Sequence, residues 1–186
     1  AITATALSDT STDEALEIGD INTKGTNISL DASAIKGEVA MNGSVDASGG
    51  GSLKDVSDHG DVTLKFGKGG FSTGLPGLTI TGKDIEFDVS EANTSVKNST
   101  FNVGGETFTF KGSPMSAPVA AHAVNLFAPT VDVVLSSAGA EDDKMDIVAK
   151  TDVVRIDLTG NLGNGDDDIT VDATAAAASI DIDGSG

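Results

Sequence analysis

Leu162-Gly-Asn-Gly-Asp-Asp-Asp-Ile-Thr-Val171 is the stretch on which the fold turns: a Gly-x-Gly turn, three aspartates, then an apolar-polar alternation. A fainter copy lies 24 residues upstream. Setting 139–162 over 163–186 without a gap superposes Gly139 on Gly163, Asp142 on Asp166, Asp143 on Asp167 and Ala149 on Ala173. Ile156 falls on Ile180, Asp157 on Asp181 and Gly160 on Gly184. Apolar residues exchange at Met145/Ile169, Ile147/Val171 and Leu158/Ile182. The matches fall on glycines, aspartates and apolar residues, the types a turn-and-strand repeat needs. A fixed period of about 20–25 residues marks a solenoid coil.

Upstream the period is harder to see, but the strand signal persists. Ile28-Ser-Leu30, Val62-Thr-Leu-Lys-Phe66, Ile85-Glu-Phe-Asp-Val89 and Phe108-Thr-Phe110 alternate apolar with polar, and Gly, Asn, Asp and Ser punctuate them. Period-2 alternation with frequent turn signals reads as all-β. Two places leave a choice. Ser11-Thr-Asp-Glu14 has capping-box spacing, so 12–18 is either a short helix or a polar loop before a strand at 16–21. Val119–Phe127 is Ala-rich and fits a helix by propensity or the first strand of a coil. Ser48-Gly-Gly-Gly-Ser52 has flexible-linker composition and marks a loop tip or a boundary. The expected division is a β-rich region at 1–113, solenoid or sandwich, followed by an acidic parallel β-solenoid segment at 114–186.

The charge follows the same division. The net charge is −18, and residues 131–186 hold 13 of the 29 acidic residues against Lys144, Lys150 and Arg155, a local balance of 3 − 13 = −10. Such a surface argues against phosphate-backbone binding and against anionic membranes. No apolar run approaches the ~20 residues that span a bilayer. Like charge gathered in one segment opposes compaction unless cations offset it. Ca²⁺ is the expected cation: it takes six to eight oxygens from carboxylates and carbonyls, and Gly lets a backbone curl to aim carbonyls inward. Gly163, Gly165, Asp166, Asp167 and Asp168 supply those parts in order; Asp142 and Asp143 are the upstream counterpart. Asp181 and Asp183, in Asp181-Ile-Asp-Gly-Ser-Gly186, have the Asp-x-Asp-Gly spacing of a further half-site. The bland alternative is a set of acidic solvent turns.

On these residues the chain resembles the haemolysin-type (RTX) calcium-binding repeat, Gly-Gly-x-Gly-x-Asp-x-apolar-x. Gly163 and Gly165 match its second and third glycines, Asp167 its aspartate and Ile169 its apolar position, while Leu162 stands where the first glycine belongs. Upstream, Gly139, Asp143 and Met145 keep the pattern and Glu141 replaces a glycine. The resemblance covers about 50 residues. It implies Ca²⁺ as the bound ion, a secreted bacterial cell-surface protein of the surface-layer or giant-adhesin kind, and folding or self-assembly driven by calcium.

Other chemistry is thinly represented. His59 and His122 are the only histidines and there is no Cys, so a zinc set is not suggested. His59, in Asp58-His-Gly-Asp61, reads as a solvated turn residue. Without Trp or Tyr there is no aromatic platform for sugars, which disfavours a β-helix polysaccharide-active enzyme. The chain starts at Ala1 and stops on Gly186 within an acidic turn, which leads to the expectation of a piece of a longer parent. The expected partners are other copies or the rest of that parent. The alternative role is a ligand-recognition β-domain carried on an acidic stalk.

Overall fold

The computed structural model describes residues 2–5, 16–49, 53–73, 77–91, 100–112, 122–136, 144–161, 163–164, 166–176 and 178–184. Strands β1 (Ile2–Thr5), β2 (Leu16–Ile18) and β3 (Ile21–Asn22) make the first coil. The next is β4 (Ile28–Ala32), β5 (Val39–Met41) and β6 (Ser44–Asp46), and the third is β7 (Val62–Phe66), β8 (Phe71–Thr73) and β9 (Leu78–Thr81). Then come β10 (Asp84–Asp88) with β11 (Thr100–Gly104), and β12 (Thr107–Lys111) with β13 (His122–Leu126). The last are β14 (Thr130–Ser136) with β15 (Lys144–Ala149), β16 (Arg155–Asn161) with β17 (Asp168–Asp172), and β18 (Ser179–Gly184).

Every strand pair among the described residues is parallel, which a sandwich built from hairpins does not produce. The order β1-β4-β7-β10-β12-β14-β16-β18 forms one sheet, β17-β15-β13-β11-β9-β6-β3 a second, and β2-β5-β8 a short third. The molecule is therefore a β-solenoid. Its ladders run without a break past residues 113 and 114, since β12 pairs with β14 and β11 with β13.

The 24-residue period is the observed register at the acidic end: Ile156 pairs with Ile180, Asp157 with Asp181 and Leu158 with Ile182 on one face, Met145 with Ile169 and Ile147 with Val171 on the other. Earlier coils drift from it. Ile28 pairs with Val62, 34 residues on, and Val62 with Ile85, only 23 on. The surplus lies in one corner, residues 47–61, where the corners 82–83 and 105–106 use two residues each.

Alternation sends every second side chain inward. One inward column reads Ile28, Val62, Ile85, Phe108, Val133 and Leu158, all buried. Six phenylalanines, Phe66, Phe71, Phe87, Phe101, Phe108 and Phe110, fill the middle of the stack and are shielded from solvent. Phe71, from the last strand of the third sheet, lies 4.6 Å from Phe87 of the first sheet and 5.7 Å from Phe101 of the second, so it joins all three faces. Phe87 and Phe110, neighbours in the ladder, stack at 5.7 Å with 19° between planes.

Both ambiguous segments hold strands where they are described, residues 119–121 lying outside the described residues. Residues 122–126 form β13, because Val124 is held between Phe101 and Ile147 in two ladders, contacts that outweigh the helix propensity of alanine. Leu16–Ile18 form β2 against β5, and residues 12–15 lie outside the described residues.

Candidate metal centre and the acidic coils

Asn161 ends β16, and its side-chain oxygen accepts a hydrogen bond from the Gly163 N–H at 3.0 Å. Gly163 takes φ 86°, a left-handed conformation that glycine adopts without the steric cost a side chain would add. The turn so formed delivers Asp166 and Asp167, both exposed, to the start of β17. Asp168 opens that strand in register with Lys144 of β15, so opposite charges face each other across the ladder. Gly165, Asp142 and Asp143 lie outside the described residues.

Asp181 and Asp183 stand on β18, exposed, and not on a separate loop. Asp181 continues an outward column that runs Asp132, Asp157, Asp181 through successive coils. Strands in a ladder are about 4.8 Å apart, so three carboxylates line up at that spacing. Arg155, the only arginine in the chain, donates from Nε to Asp157 Oδ1 at 2.8 Å and offsets the middle of the column.

The donor chemistry of these residues suits a hard cation, yet among the described residues no three carboxylates or imidazoles converge on one point. The described oxygens thus fall short of the six to eight of a preformed calcium shell. Asp166 and Asp167 stand in the turn before β17, Asp168 at its first position, and Asp181 and Asp183 on the exposed strand β18.

The aspartates do have a structural use that the sequence reading missed. At the ends of strands, an aspartate accepts from the residue two positions on, closing the corner. Asp31 Oδ1 takes the Ser33 N–H at 3.0 Å and its hydroxyl at 2.6 Å; Asp88 repeats this with Ser90 at 3.0 and 2.6 Å. Asp46 does the same with Ser48, and Asp172 accepts the Thr174 N–H at 2.9 Å. The recurring Asp-x-Ser/Thr was the available signal. The Ser33 hydroxyl, then its N–H, hold the Asp31 carboxyl below the usual aspartate range, with a smaller push from Lys65 and burial opposing. Asp172 is lowered by the Thr174 N–H first and then its hydroxyl. Asp20 is lowered in the same way across coils, by the Ser44 N–H and then its hydroxyl.

His59 departs from expectation. It lies in a turn and is only partly exposed, and its Nδ1 is enclosed with no hydrogen-bond partner among the described residues. An open groove of about 400 Å³ runs nearby, between residues 54–57 and the corners holding Glu106 and Pro129. Compared with models of protein families, with curated proteins and with solved structures, the chain matches none.

Proposed function

We propose that this chain is a structural segment of a secreted cell-surface assembly of the surface-layer or adhesin kind, stacking on other copies or on the rest of a longer parent, with Ca²⁺ offsetting its acidic coils. One observation carries the reading. In the first sheet the inward apolar residues are buried from Ile28 through Val62, Ile85, Phe108 and Val133 to Ile156 and Leu158. On the last strand, however, Ile180 is 41 % and Ile182 63 % exposed, Ile169 and Val171 of β17 are only partly buried, and β18 and β17 each lie at the margin of their sheets. An apolar face beside two open strand edges is a template for further pairing. Asp181 and Asp183 flank those isoleucines and repel another acidic end, which makes association depend on cations. No catalytic residue enters this reading.

The test is sedimentation velocity across protein concentration, with Ca²⁺ and with chelator. Association that grows with concentration and Ca²⁺ is expected, and Ile182→Lys, at an exposed position, abolishes it while leaving the circular dichroism spectrum unchanged. A wild-type chain that stays monomeric under every condition would count against the proposal. The groove beside residues 54–57 favours a second reading, a recognition module; a ligand whose binding is lost on substitution of Glu106 or Asp132 would support that instead.

A further inference from the structure

The long corner of residues 47–61 does not stop at its own coil. Its described residues from Leu53 onward lie along the stack, crossing corners that belong to later coils. Leu53 packs on Gly104 at the end of β11: a Cβ built on Gly104 would meet Leu53 Cα at 2.6 Å, its Cδ2 at 2.7 Å and its carbonyl oxygen at 2.8 Å. Lys54 reaches further, and its Nζ lies 2.5 Å from Asp152 Oδ2 in the corner that leads into β16. Between these anchors residues 54–57 line one groove together with Ala128, Pro129 and Thr130. Val56, 4 % exposed, roots its returning limb.

In a solenoid each coil touches only its neighbours, so stability is a sum of adjacent contacts and the ends open first. A contact from the corner between β6 and β7 to the corner between β15 and β16 bypasses that rule. We propose that residues 53–57 form an axial clasp that ties the acidic C-terminal coils to the N-terminal ones and suppresses their independent opening. Gly104 is the notch that admits it, and the Lys54–Asp152 ion pair is its latch. Both latch side chains are about half exposed, at 55 % and 44 %, so the latch weakens with added salt. This inference stands apart from the assembly reading, because it concerns contacts within one copy.

Amide hydrogen exchange resolved by peptide tests it on the full chain. Gly104→Ala lifts the clasp without altering a left-handed backbone position, and exchange in 144–161 is expected to rise about tenfold while 28–46 holds steady. Lys54→Ala gives a smaller rise, up to about fivefold, as suits a half-exposed pair. The charge swap Lys54→Asp with Asp152→Lys restores protection lost in either single variant. Unchanged exchange over 144–161 in both Gly104→Ala and Lys54→Ala overturns the proposal, as does a rise that the swap leaves in place or one confined to the neighbourhood of residue 104.

Discussion

Single residues in this fold are repeated down columns, and their worth depends on what lies one coil away. Phe87 is the clearest case. It touches Phe66 at 5.0 Å, Phe71 at 4.6 Å, Phe101 at 5.0 Å and Phe110 at 5.7 Å, so removing it empties the point where the three faces meet. Phe87→Ala is expected to lower unfolding stability by about 3–5 kcal/mol, measured by urea titration. Leu158→Ala, nearer the open end and 6 % exposed, can relax more easily and costs less, about 2–3 kcal/mol. The corner aspartates act through protons. Asp31 has a folded pKa below its unfolded value, so the native state holds fewer protons in that range. Its contribution is present above the unfolded value of about 3.9 and lost as pH falls through the folded one. Ser33→Ala, which deletes the first cause of the shift, therefore lowers Tm at pH about 7 and loses that effect progressively as pH falls below the unfolded value. A Tm difference that stays constant across this range would show that the hydroxyl acts on packing alone.

Elements were legible in the sequence where the period was constant and illegible where it was not. At 144–148 and 155–160 the 24-residue alignment is the ladder itself, residue for residue, because connections of five and six residues after β15 and β17 keep successive coils nearly equal. Before that, offsets of 26, 34 and 23 residues separate Ile2, Ile28, Val62 and Ile85, and no gapless comparison finds a repeat. Ser48–Ser52 signalled a loop tip, yet nothing local announces that the chain beyond it lies on Gly104 and Asp152. Those partners are distant in sequence and become neighbours only after the coils stack. Of the candidate site, the sequence located the turn at Gly163 but not the fate of its carboxylates. Asp168 takes the first position of β17, in register with Lys144, and Asp181 falls in a column with Asp157.

For the whole molecule the governing quantity is charge against order. A net −18 favours expansion, and the coils between Val131 and Asp183 carry most of it while offering little aromatic packing. Cation binding to the folded state therefore raises Tm by mass action. In a circular dichroism melt, Ca²⁺ against chelator is expected to raise Tm selectively over Mg²⁺, and Asp167→Ala to remove part of the gain. An equal response to both ions would reduce the acidic turns to solvated corners screened by any divalent salt.

The parallel stacking also fixes how the molecule stores length. Its strands lie across the axis, and each coil of 24 residues at the acidic end, as set by Ile156 and Ile180, adds only about 4.8 Å to the stack. The same 24 residues drawn straight reach about 80 Å. Tension along the axis pulls hydrogen bonds open one ladder at a time, so each released coil yields many times its folded height as slack. Such a stack is a reeled tether: stiff while wound, yielding in discrete lengths when loaded, with the clasp of residues 53–57 bracing it inward of the ends, where the reel begins to run.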